Sequence, residues 1–207
     1  KELEIEMRKS SRSQNFEKAA EIKQKLDQIS YITSGKYKPW QYEQNPNLVS
    51  DRLTKETDDL KELLGLEKLG KIECYDISNI SGKLATGGQV TFINGQPEKK
   101  FYRRYKIKLE NGPNDVAMMK EMLSRRLKSD VPLPDLFVID GGKEHLFPLP
   151  IPTIGLAKRL ETIYYKNKII QLPLNSPALH LLQRLRDEAH RFSRKYHFYL
   201  RSKKMLE

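Results

Sequence analysis

Residues 71–78, KIECYDIS, alternate apolar and polar side chains with the period of a strand. GGQVTFI at 87–93 reads as a second strand and NGQPEK as the turn after it. KFYRRYKI at 100–107 reads as a third strand. Asn114 is placed to cap a helix, DVAMMKEMLSRRL, with Val116, Met119, Leu123 and Leu127 along one face. DLFVID follows as a short apolar run of the kind buried in a parallel pairing. TIGLAK predicts a further strand, ETIYYK and KIIQLP a hairpin across Asn167, and the chain ends in a helix from about Ser176 to Lys203.

Upstream the pattern is helical. Residues 2–12 carry Leu3, Ile5 and Met7 among charges. Asn15 can cap a second helix in which Phe16, Ala19, Ala20, Lys23, Leu26 and Ile29 recur at helical spacing. Two short antiparallel helices bury little alone and gain by docking on a partner. Residues 34–50 contain two prolines and no period, so they read as a linker. Residues 51–64 read as a helix with Leu53, Leu60, Leu63 and Leu64, stopped at Gly65. The expected organisation is a hairpin at 1–32, a linker and helix at 33–70, and an α/β domain at 71–207.

Three antiparallel strands, a helix and then a parallel strand is the order of a ribonuclease H-like mixed sheet with flanking helices. A right-handed crossover sets the fourth strand beside the first. Asp76 would then meet Asp140 at one end of the sheet, where α/β proteins tend to bind ligands. Asp140 sits in VIDGGKEH, and Asp-Gly-Gly is also ordinary turn composition. Asp76, however, ends a strand face that otherwise holds Ile72 and Cys74. Two adjacent carboxylates repel unless a cation or proton lies between them. A hard ion such as Mg²⁺ or Mn²⁺ suits oxygen ligands and leaves positions for water and phosphate.

The last helix offers a third member. At about 100° per residue, Ala178, Leu182, Leu185, Ala189, Phe192 and Tyr196 form its apolar stripe. His190 lies roughly 120° from the stripe's centre, with Arg186, Ser193 and His197 on the same flank. His190 there can ligate metal, shuttle a proton or simply rim the interface, and Arg186 can grip phosphate. His197 is its local rival; His145 and His180 are more weakly placed. Asp187 and Glu188 point away from His190, as helix-surface charges.

Charge narrows the partner class. The net charge is +11. Residues 99–108 hold six basic groups and no acid, and residues 176–207 hold eight basic and three acidic groups. Such clustering, interleaved with Phe101, Tyr102 and Tyr105, is the footprint of a nucleic-acid surface. Candidate phosphate contacts are Arg103, Arg104, Lys143, Lys158, Arg159 and Arg186. Cys74 is the single cysteine, so neither a disulfide framework nor a cysteine zinc site is available, and a cytoplasmic location is expected. No run of 18 apolar residues exists to span a membrane, and the N-terminal residues lack a signal peptide's apolar core. The chain does not begin with Met and is expected to be part of a longer protein.

IECYDISNISG, DLFVIDGGK, IGLAKR and SPALHLLQRLRDEAHRFSRKYH resemble the motifs of the UvrC C-terminal nuclease domain, over about residues 70–204. NFEKAAEIKQKL resembles the UVR helical hairpin that binds UvrB. The resemblance implies an endonuclease that uses Mg²⁺ or Mn²⁺ to make the incision 5′ to a lesion in damaged double-stranded DNA. Its triad maps onto Asp76, Asp140 and His190, and its UvrB contact onto Phe16, Ala19, Ala20, Lys23 and Leu26. The rival expectation is an inactive scaffold that binds DNA and UvrB. One departure stands out. The family has a crossover helix after the Asp140 strand, whereas Gly141 to Thr153 offers 13 residues, three of them proline. Either that helix is deleted or the sequence joins residues across a missing stretch, and the second is the expectation.

Overall fold

The computed structural model describes residues 47–78, 85–107, 114–157 and 161–205, the side chains beyond Arg194 excepted, and scattered positions between 5 and 22. It divides into two compact units, Lys1–Leu48 and Val49–Glu207.

In the first unit Asn15 acts as expected. Its Oδ1 accepts from the backbone N–H of Lys18 at 3.2 Å, and its carbonyl accepts from Ala19 at 3.1 Å. Lys18 pairs with Glu6 at 3.0 Å. Of the expected UvrB contacts, Ala19 is half-buried, while Phe16, Ala20, Lys23 and Leu26 lie outside the described residues.

The second unit begins within α1 (Leu48–Leu64). Gly65 closes it at φ +62°, with Leu66 N–H donating to Lys61 O and Gly65 N–H to Glu62 O. Both bonds occupy carbonyls that a helix end leaves open. Leu53, Leu60 and Leu64 are buried.

The sheet holds β1 (Lys71–Ser78), β2 (Thr86–Ile93), β3 (Gln96–Pro97), β4 (Arg103–Lys106), β5 (Leu136–Asp140), β6 (Thr153–Ala157), β7 (Thr162–Tyr165) and β8 (Lys168–Gln171). Among the described residues the order is β3-β2-β1-β5-β6-β7-β8, with β4 also on β2. β1–β5 and β5–β6 are parallel and the remaining pairs antiparallel. Two helices follow within the order, α2 (Asp115–Leu127) and α3 (Pro177–Met205). Ile72, Cys74, Val90 and Val138 join one core with Leu60, Leu182, Leu185 and Ala189. Tyr75, Phe137 and Ile139 join the other with Met118, Met119, Met122 and Leu123. Apolar burial on both faces explains why DLFVID shows no alternation.

Two expectations need correction. The third strand is shorter than 100–107. Asn94 and Gly95, both at positive φ, turn the chain tightly into β3. Pro97 cannot donate to a ladder, so that pairing ends after two residues. A 3-10 turn at Lys99–Phe101 then separates it from β4, which pairs with the other half of β2. The inward face of α2 is also rotated. Met118, Met119, Met122, Leu123 and Arg126 are buried, whereas Val116 and Leu127 are only half-buried. Arg126 turns inward to meet Glu73. The Asn114 cap itself forms, accepting from Ala117 N–H at 3.0 Å.

The connection from β5 to β6 contains no α-helix. A 3-10 turn, Lys143–His145, leads into an extended segment. Its Leu146, Phe147, Leu149 and Ile151 pack on the α2-side core. β6 still lies parallel to β5.

Candidate active site

Asp76 and Asp140 are brought level by strand register. Tyr75 is partnered with Ile139 in the parallel β1–β5 pair, so each carboxylate is the next residue along. Both side chains are nearly buried, at 5% and 6% exposure. α3 crosses this end of the sheet because Leu182, Leu185 and Ala189 seal it against β1 and β2. One residue beyond Ala189, the His190 side chain is 35% exposed and lies over the acids.

His190 Nδ1 is 3.2 Å from Asp76 Oδ1 and 3.3 Å from Asp140 Oδ2. Each residue offers one ligand atom, and the three atoms lie within 4.8 Å of one another. Asp76 Oδ2 is buried and has no hydrogen-bond partner among the described residues. A buried carboxylate oxygen left unpaired is costly. Two hard oxygen donors and an imidazole around such an orphaned oxygen fit a divalent cation. Cys74 registers the local field. Burial pushes its thiol well above its ordinary range, and the charges of Asp140 and then Asp76 push it further.

The UvrC RNAse H endonuclease domain matches residues 61–193, which enclose all three side chains. The chain belongs to this family. The UvrB/uvrC motif matches residues 1–32. Similar chains include UvrABC system protein C of Dictyoglomus thermophilum, 44% identical over 177 residues that cover 78% of this chain and 30% of that one. The Dehalococcoides mccartyi protein of the same name is 47% identical over 175 residues, covering 72% and 29%. The chain thus spans about 30% of the length of such relatives.

Around these three side chains, the expected phosphate contacts separate. Arg104 lies across β2 from Asp76, since Asp76 pairs with Gly88 and Gly88 with Arg104. Its guanidinium is 5.0 Å from the centre of the Phe192 ring, a stacking that orients it beside α3. Arg103 lines a cavity of about 260 Å³ with Phe101, Arg104, Tyr105 and Arg125. By strand alternation it projects to the face opposite the triad. Lys143 is exposed in the turn that follows Asp140. Lys158 and Arg159 lie outside the described residues.

Arg186 is already engaged, donating to Glu161 at 2.5 Å. Burial works against its charge, but Glu161, Asp187 and Asp140 hold its pKa above the ordinary value. Glu161 had no sequence signal, because its partner lies 25 residues away across a hairpin. Of the rival histidines, His145 Nδ1 lies 3.3 Å from Glu144 Oε1 and His180 Nε2 contacts Leu174 O at 2.9 Å. The His197 side chain lies outside the description. Glu188 is not a plain surface charge. It accepts from Tyr102 Oη at 2.9 Å and from Arg191 at 2.6 Å. No helix among the described residues is long and apolar enough to cross a membrane.

Proposed function

We propose that this chain is the part of an excision-repair nuclease that cuts DNA on the 5′ side of a lesion, with Mg²⁺ or Mn²⁺ held by Asp76 and Asp140. The convergence of those carboxylates with His190 carries this reading. Such an ion polarises a phosphodiester and lowers the pKa of bound water. Asp76 and Asp140 supply the oxygens. His190 completes the set, as a third ligand or as a proton carrier within reach of both acids.

Arg104 and Lys143 flank the acids with positive charge, and we assign them to the DNA backbone. Arg186 contributes less to DNA than its position suggests, because Glu161 neutralises it. The N-terminal hairpin, matched by the UvrB/uvrC motif, is assigned to UvrB.

Asp140→Asn tests the assignment. It is expected to abolish Mn²⁺-dependent nicking of damaged duplex in the presence of UvrB while keeping most DNA affinity. Full-rate nicking by the variant would remove the metal role. Retained DNA and UvrB binding by a parent chain that never nicks would instead mark a scaffold.

A further inference from the structure

Among the described residues two more buried oxygens have no hydrogen-bond partner, Thr86 Oγ1 and Ser193 Oγ. Buried polar atoms are almost always paired. Orphans at register positions next to Asp76, at the same end of the sheet, therefore point to a shared occupant. Strand register places them. Asp76 pairs with Gly88 on β2, and Ser78 pairs with Thr86. Side chains alternate along a strand, so Thr86 and position 88 face α3 as Asp76 does. Ser193 arrives from α3, three residues beyond His190 and on the same flank. Thr86 is 1% exposed and Ser193 2%.

Gly88 is what admits Ser193. A Cβ at position 88 would lie 2.2 Å from Ser193 Oγ. The hydroxyl therefore fills the space where β2 has no side chain, directly across the strand pair from Asp76. It makes no hydrogen bond there to any described residue. A packing role alone would be served by any small group. A hydroxyl both donates and accepts, which suits it to a water that carries two protons. Hard divalent ions of the Mg²⁺ type keep several such waters.

We propose that Ser193 is a positioning residue. Its hydroxyl, with that of Thr86, anchors water against Asp76 Oδ2 and so orients the hydration of the divalent ion. The inference rests on the metal reading under Proposed function and extends it to residues that do not touch the ion.

The test uses the whole chain, Mn²⁺ titration by calorimetry, and thermal melting in EDTA. Ser193→Ala is expected to bind Mn²⁺ about tenfold more weakly, the scale of loss typical of outer-shell partners. It should melt in EDTA no lower than the parent, because the lost hydroxyl has no protein partner. Gly88→Ser with Ser193→Ala returns a hydroxyl to the same space from the opposite wall and should recover most of the affinity. Gly88→Ala with Ser193→Ala fills the space without a hydroxyl and should not. Parental affinity in Ser193→Ala overturns the inference. So does failure of the serine swap, or equal recovery in the alanine swap. If the parent itself binds no Mn²⁺, the metal reading fails and this inference falls with it, which differs from a parent that binds and a variant that binds equally.

Discussion

Arg126 donates from Nε and Nη2 to the two carboxylate oxygens of Glu73, both at 2.9 Å, beneath α2. The side chains are 3% and 1% exposed. Tyr75 Oη adds a bond to Glu73 at 2.6 Å, and Lys71 Nζ approaches at 3.2 Å. The rest of the guanidinium is taken by Ser129 Oγ, Val131 O and Pro132 O. This ties the end of α2 and the approach to β5 to the strand that carries Asp76.

Removing one partner of such a pair leaves a buried charge uncompensated. Arg126→Met is expected to destabilise the fold by about 3–5 kcal/mol, read from urea denaturation. Arg126→Met with Glu73→Gln should lose less than Arg126→Met alone, because no buried carboxylate is then stranded. Equal losses in the two variants would show that packing rather than charge is at stake.

The tie between α1 and α3 predicts a smaller effect. Arg184 on α3 is ion-paired with Glu56 on α1 and donates to Gly95 O at 3.0 Å. Arg52 Nε lies 3.6 Å from the same carboxylate. Glu56→Gln keeps the shape and removes the charge. A loss of about 1.5–3 kcal/mol is expected in thermal melts, the range for a hydrogen bond to a charged group. Because the pair lies away from the triad, Mn²⁺ affinity should not move.

Glu188 predicts a feature of the stability–pH curve. Burial raises its pKa, but bonds from Arg191 and Tyr102 outweigh burial and hold it below the ordinary carboxylate value of 4.5. A depressed acid contributes stability that is present above its unfolded value and is lost as pH falls through the folded one. Glu188→Gln should therefore flatten the curve below about pH 4.5. Tyr102 works at the other end. Burial first, then Glu188, raises its hydroxyl pKa above the ordinary 10. Stability should thus fall as pH rises past about 10, where only the unfolded tyrosine ionises, and Tyr102→Phe should remove that contribution.

The sites of success and failure in the sequence have physical causes. Asp76 was legible because an acid closing the apolar row of Ile72 and Cys74 breaks a local rule. Strand order then supplied Asp140. Asn15 and Asn114 were legible because a cap needs only neighbouring backbone. The split of the third strand was hidden, since KKFYRRYKI alternates well enough to run on and the interruption is set upstream by Pro97. The inward face of α2 is not legible in the sequence, because an arginine reads as polar while Glu73, 53 residues earlier, draws it inside. His190 and His197 could not be separated by helical spacing, because seven residues return to nearly the same face. Only resemblance distinguished them. Ser193 was placed on the right flank, but nothing in a single helix reveals that it lies over a glycine on another strand.

Gly155 gives the sharpest link between packing and chemistry. It sits on β6 opposite Ile139, and a Cβ there would meet Gly141 O at 2.9 Å and Gly142 O at 3.3 Å. Those atoms are backbone and cannot rotate away as a side-chain tip would. Relief requires moving the turn that follows Asp140, and the carboxylate moves with it. Gly155→Ala is therefore expected to cost about 1–3 kcal/mol as an overpacked site. It should also weaken Mn²⁺ binding more than its stability loss accounts for. Gly65→Ala is the control. Gly65 has φ +62° but nothing within 4 Å of its Cβ position. Its substitution should cost about 1–2 kcal/mol through left-handed strain alone. Mn²⁺ affinity should stay at the parent value in that variant. Calorimetry on both variants at a temperature where each is folded separates the two effects. If Gly155→Ala binds Mn²⁺ like the parent, the β5–β6 contact does not position Asp140.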